Sequence, residues 1–231
     1  MTGIEPLKTK RILIVGAGGF GREVVQWALD AWPSQAGRIA GFLSAEADCL
    51  EERASQLPML GDPANYEPKS GDGLVLAIGI PEARRRVAES LASRGGEFLT
   101  LIHPTAIVST TAMIGVGSIL CPYSIVSDSA STGRCALLNY HASLGHDASA
   151  GDYAVLSPYA TLGGAAHIGD DVFLGMHASV GPGRRVGARS KISANSCALS
   201  DAAADSIIYG VPGRIGRRVA MDKSYQARLS Q

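Results

Sequence analysis

From residue 108 to residue 192 an aliphatic side chain returns at every sixth position. The series reads Val108, Ile114, Leu120, Val126, Thr132, Leu138, Leu144, Ala150, Leu156, Leu162, Ile168, Leu174, Val180, Val186, Ile192, and only Thr132 and Ala150 depart from it. Two residues ahead of each stands a small side chain, from Ala106 to Ser190, with Val172 and Arg184 as exceptions. Amphipathic helices repeat near 3.6 residues and cannot hold this register. A period of six suits short strands, three to a coil of about eighteen residues, each coil burying its apolar edge on the next. The run supports about five coils. Tight corners account for 28 glycines in a chain with few aromatic residues.

The first hundred residues follow a different rule. Residues 11–15 (RILIV), 38–43, 74–79 (LVLAIG) and 98–102 read as strands, and residues 22–32 and 81–94 read as helices, the second with Pro81 in its first turn. Alternation of this kind predicts a parallel α/β sheet. The expected division is an α/β domain over 1–102 and a coiled β-domain with a C-terminal tail over 103–231. Between the first strand and helix, Gly16, Gly18 and Gly21 satisfy G-x-G-x-x-G. Such glycines let the backbone approach a pyrophosphate, whose charge the helix N-terminus favours. They equally suit a tight strand–helix turn. A redox dinucleotide fits poorly, because about 100 residues leave no room for a second mononucleotide-binding half.

Charge and hydropathy narrow the partners. The 21 basic and 21 acidic residues cancel, which argues against nucleic acid or an anionic membrane surface. The longest apolar runs, such as residues 74–78, are far too short to span a bilayer, and the start lacks a signal-peptide core. Cys49, Cys121, Cys135 and Cys197 are scattered without metal spacing, as expected of a reduced cytoplasmic protein.

Residues 139–151 (NYHASLGHDASAG) carry His141 and His146. If a coil is about eighteen residues, His146 stacks in the column Asp128, His146, Gly164, Pro182, and His141 in the column Tyr123, His141, Tyr159, His177. A base beside a backbone N–H one coil on is the pairing acyl transfer requires: one takes a proton, the other holds an oxyanion. His141 belongs to an aromatic ladder, open to readings as packing, as a subunit contact or as part of an acceptor pocket. His103 and His167 read as structural. Cys121 and Cys135 have no histidine in their columns, so a thiol nucleophile is disfavoured.

GAGGFGREV near the start, AIG at 77–79, LIHPTA at 101–106, GHD at 145–147 and GVPGR at 210–214 occur in that order on an unbroken six-residue phase. In this respect the chain resembles the hexapeptide-repeat sugar acetyltransferases, which act on nucleotide-linked amino sugars or on sialic acids. The resemblance implies a Rossmann-like domain ahead of a left-handed parallel β-helix, a homotrimer with active sites between subunits, and acetyl-CoA as cosubstrate. It implies direct transfer to a sugar amine with His146 as base, Asp147 orienting the imidazole and Gly164 as oxyanion donor. It assigns Gly18, Gly19, Phe20, Gly79 and His141 to the nucleotide-sugar acceptor. Val155, Gly164, Met176 and Ala194 would contact CoA, with Arg214, Arg217 and Arg218 near its phosphates. Several family members carry histidine where Phe20 and Val155 stand. O-acetylation of a sialic-acid-like sugar is the alternative, and a non-enzymatic scaffold is a third reading. A zinc hydratase like the β-helical carbonic anhydrases would use H-x-x-x-x-H, yet the region around Thr105 offers no third histidine, so no metal is expected.

Overall fold

The computed structural model describes residues 9–45 and 57–217. Its first part contains strands β1 (Arg11–Val15), β2 (Ile39–Leu43), β3 (Met59–Gly61), β4 (Asp72–Leu76) and β5 (Glu97–Phe98), with helices α1 (Gly19–Ala31) and α2 (Pro81–Ser93). The strands pair in parallel in the order β3-β2-β1-β4-β5. Central β1 is apolar on both sides because both sides are covered. Ile12 and Ile14 pack with Val24, Trp27 and Ala28 of α1, while Leu13 and Val15 pack with Ala88 and Leu91 of α2. Strand order reverses between β1 and β4, and such a switch point opens a crevice at the carboxyl ends of the strands.

The expected strand over 98–102 is two strands in two sheets. β5 ends at Phe98 and pairs with β4, whereas Leu101–Ile102 pairs with Ile119–Leu120 in the second domain. Both pieces are short and apolar, so period alone could not divide them. Leu101–Ile102, expected within the α/β domain, thus pairs with the β-helix.

That domain is a parallel β-helix with three faces, which form sheets of eight, six and five strands. The first face includes Ile119–Leu120, Leu137–Leu138, Val155–Leu156 and Phe173–Leu174. The second includes Ile125–Val126, Ser143–Leu144, Thr161–Leu162 and Ser179–Val180, and the third Ser131–Thr132, Ser149–Ala150, His167–Ile168 and Arg185–Val186. Pairing is at a spacing of eighteen up to the last coil, where it drops to sixteen: Leu138 meets Leu156, Leu144 meets Leu162 and Ala150 meets Ile168, but Lys191 meets Ile207. The sixth-position residues all point inward and form one core with the small residues of the alanine column. Val172 is accommodated there, fully buried, while Arg184 lies exposed beside Pro182 near the end of the coil stack.

From Tyr123 onward most corners turn on one residue with positive φ, as at His141 (59°), Asp147 (60°) and Tyr153 (58°) in a single coil. This region is disfavoured for L-residues. Here the N–H of each such residue donates to the preceding coil: His141 to Pro122 O, Asp147 to Asp128 O, Tyr153 to Arg134 O. The same bond recurs at Ala165, Asp171 and His177. At the C-terminal end, Ser206–Tyr209 continues the first face and Arg214–Arg217 folds back antiparallel to it. Replacing Leu156, fully buried in the core, by Ala is expected to cost about 3 kcal/mol in a denaturant melt. A loss below about 1 kcal/mol would contradict the inward column.

Candidate active site

The corner between the second and third faces carries the column His146, Gly164, Pro182. His146 Nδ1 lies 2.8 Å from Asp147 Oδ2, and both side chains are largely exposed. A proton on Nδ1 is thereby held by the carboxylate, which leaves Nε2 as the acceptor. One coil on, Gly164 lies directly beneath the ring: a β-carbon there would fall 2.4 Å from His146 Nε2 and 2.7 Å from Cε1. No other residue fits without moving the imidazole. Gly164 N–H has no hydrogen-bond partner among the described residues, whereas the neighbouring Ala165 N–H binds His146 O at 2.7 Å. Among the described residues, the corner thus sets an unpartnered imidazole nitrogen next to an unpartnered backbone donor.

His141 is on a different corner, between the first and second faces. Its ring stacks on Tyr123 at 5.1 Å and on Tyr159 at 4.7 Å, and Tyr159 stacks in turn on His177 at 4.7 Å. Tyr140 meets His141 and Tyr159 edge-on. One coil therefore separates the two histidines by a whole face, and they cannot chelate one ion together within a chain. Met176 and Ala194 are exposed on the His141 corner, and Arg214 is exposed on the terminal hairpin. Arg218 lies outside the described residues.

Val155 requires a correction. It points outward from the first face, but the α/β domain covers that face, and Val155 is 2% exposed in a cluster with Ile119, Leu137 and Trp27. Its side chain is not available to a cofactor. Cys121 and Cys135 are buried, and burial pushes both thiols up, away from nucleophilic thiolate. His103 bridges the domains, with Nδ1 at 2.8 Å from Thr105 Oγ1 and Nε2 at 3.3 Å from Asp30 Oδ2. His167 Nδ1 lies 2.7 Å from Ser149 Oγ.

The glycine loop sits at the crevice between β1 and β4, and its glycines divide by cause. A β-carbon on Gly16 would meet Ala77 O at 2.5 Å, and one on Gly21 would meet Gly16 O at 2.1 Å. Those two are required by the turn itself. Gly18 and Gly79 would meet nothing within 4 Å, so the fold does not explain them. Both are exposed, just past the carboxyl ends of β1 and β4. Phe20 is half-buried, edge-on to Trp27 at 5.8 Å.

Two arginines that join α2 to the β-helix escaped the sequence reading. Arg84 is fully buried, and Arg85 grips Asp171 through Nε at 2.8 and 2.9 Å. Arg-Arg-Arg at 84–86 looks like a solvated helix face. The signal against that was spacing, since Arg84 falls in line with the buried Pro81, Ala88 and Leu91 of α2.

Comparison with known proteins fits this geometry. Residues 11–91 match the PglD N-terminal domain family. A 46-residue stretch is 44% identical to UDP-N-acetylbacillosamine N-acetyltransferase of Bacillus subtilis, covering 20% of this chain and 21% of that protein. The match thus spans about a fifth of that curated relative's length. Among solved structures, a mutant of perosamine N-acetyltransferase from Caulobacter crescentus, in complex with CoA and GDP-perosamine, aligns with a TM-score of 0.78 at 26% identity. That alignment covers 89% of this chain and 96% of the other. WeeI from Acinetobacter baumannii shares the fold at a TM-score of 0.79 and 23% identity, over 89% and 99% of the two chains. The chain resembles the hexapeptide-repeat sugar acetyltransferases in its N-terminal domain, its β-helix and their order.

Gly164→Ala isolates the ring–glycine contact. The exposed imidazole should swing aside, so melting temperature changes little while the NMR resonances of His146 shift and its link to Asp147 is lost. Unchanged His146 resonances in a folded variant would contradict the packing described.

Proposed function

We propose that this chain is an acetyl-CoA-dependent N-acetyltransferase whose acceptor is the amino group of a nucleotide-linked sugar. The observation that carries the proposal is His146, held at Nδ1 by Asp147 with Nε2 over Gly164. In the reaction the amine nitrogen attacks the thioester carbonyl carbon, and His146 Nε2 removes the amine proton. The tetrahedral oxyanion is held by Gly164 N–H. As the C–S bond breaks, the proton passes to the departing CoA thiolate. General-base and oxyanion contributions of this kind are each worth ~10²-fold or more.

The acceptor's diphosphate is assigned to the crevice at Gly18, Gly19 and Gly79, with Phe20 beside it. The open backbone at Gly18 and Gly79 supports this, as do the relatives solved with a nucleotide sugar. CoA is assigned to Gly164, Met176 and Ala194, with Arg214 near its phosphates. An acetyltransferase domain of PglB from Neisseria gonorrhoeae, at 24% identity and a TM-score of 0.71, was solved with acetyl coenzyme A.

These assignments require more than one copy. The α/β domain covers the first face, and His146 lies on the corner opposite that face. With six residues per side at ~3.3 Å each, the triangle puts them ~17 Å apart through the core. Gly164 and Met176 are likewise on different corners. A homotrimer of parallel β-helices would set the His146 corner of one copy against the His141 corner and α/β domain of the next. The second face suits such a contact: its outward residues Ile107, Ile125, Ser143, Thr161, Ser179 and Cys197 carry no charge. The proposed setting is the cytoplasm; among the described residues no helix is long and apolar enough to cross a membrane.

The test is a screen of UDP-, GDP- and dTDP-linked amino sugars with acetyl-CoA, followed by His146→Ala on the best substrate. Turnover should fall by at least ~10²-fold with the fold intact. Full activity of the folded variant would remove His146 as the base.

A further inference from the structure

Arg84 is 0% exposed, and among the described residues no carboxylate pairs with it. Its partners are four backbone carbonyls. Nη1 donates to Leu76 O at 2.6 Å and to Ile78 O at 2.9 Å, just past the end of β4. On the other side, Nε donates to Cys135 O at 2.5 Å and Nη2 approaches Ala136 O at 3.4 Å, both on the β-helix. One guanidinium therefore clamps the loop that leads to Gly79 onto the second domain. Burial lowers its pKa to about 10, so it remains charged at neutral pH.

A buried, unpaired cation is a poor way to gain stability, since an apolar side chain of similar size would dock the domains at less desolvation cost. A planar fork of five donors does something an apolar group cannot: it fixes the direction of carbonyls. In a trans peptide the C=O and the following N–H point in opposite directions. The Leu76–Ala77 peptide shows the consequence, with Leu76 O on Arg84 and Ala77 N–H donating the other way to Val15 O. By the same rule Ile78 O on Arg84 turns the Gly79 N–H outward, toward the crevice beside Gly18. Gly79 N–H has no partner among the described residues, and Gly79 is exposed.

We propose that Arg84 is a positioning residue of the acceptor site, aiming Gly79 N–H at the diphosphate of a nucleoside-diphosphate ligand. This rests on the acceptor assignment made above. It differs from simple domain docking, because the neighbouring clamp, Arg85 to Asp171, joins the same helix to the β-helix without touching the Gly79 loop.

The experiment titrates UDP, GDP and dTDP by calorimetry into wild type, Arg84→Lys, Arg84→Met and Arg85→Met, with melting curves for each. A lysine ammonium can reach one set of carbonyls at a time, so Arg84→Lys should retain part of the affinity and Arg84→Met little. For the tightest nucleotide, Kd should rise about tenfold or more in Arg84→Met. The KM for acetyl-CoA should stay within about twofold, since no Arg84 contact reaches the His146 corner. Arg85→Met should lower the melting temperature yet leave nucleotide Kd within about twofold. Folded Arg84 variants that bind like wild type would overturn the inference, as would an Arg85→Met loss equal to that of Arg84→Met. Failure of wild type to bind any of the three nucleotides would overturn the acceptor assignment itself.

Discussion

The structure depends on stacking at a spacing of eighteen residues. From Leu101 to Ala198 each β-helix strand is only two residues long, and no such strand is stable alone. It persists because its inward aliphatic residue rests on the equivalent residues above and below, and its N–H groups bond to the next coil. The corner residues accept positive φ because the bond to the preceding coil compensates the strain. Side chains outside the core inherit the same stacking. His146 lies over Gly164, and His141 lies between two tyrosines, because the core repeats without a slip across those coils.

That regularity is legible in the sequence itself. The sixth-position series identified the inward residues, and counting eighteen placed His146 and His141 in separate columns. The ring stacking at 4.7–5.1 Å and the glycine under the imidazole follow from that count. Two features were not read, for related reasons. The period treats three faces alike and does not say which one is covered, so the resemblance alone assigns Val155 to CoA, whereas it lies under the α/β domain. Its own column held the clue: Ile119, Leu137, Val155 and Phe173 are all apolar outward residues, whereas Ser143 and Thr161, or Ser149 and His167, occupy the other faces. Arg84 was hidden by charge. A lone buried guanidinium is rare enough that composition argues against it, and only its helical spacing pointed inward.

The two domains contribute different kinds of precision. The β-helix supplies a corner where neighbouring coils fix His146 over Gly164, the base and donor of the proposed reaction. The α/β domain supplies bare backbone at Gly18 and Gly79, and α2 locks it to the third corner through Arg84, Arg85 and Asp171. In the proposed reaction the nucleotide part of the acceptor is held by one domain, and proton transfer is done by the other. Binding energy from the remote nucleotide would then orient the amine for attack.

In the proposed reaction the acceptor loop and the base that serve one transfer come from different copies of the chain. Mixing two inactive variants after reversible dissociation tests it most directly: His146→Ala, which keeps the loop, and Gly18→Phe, which fills the crevice and keeps the base. Acetyl transfer measured on the mixture should rise well above the sum of the two variants alone, because some interfaces would pair an intact loop with an intact base. A mixture no more active than its parts, with mixed oligomers verified by mass, would contradict the account.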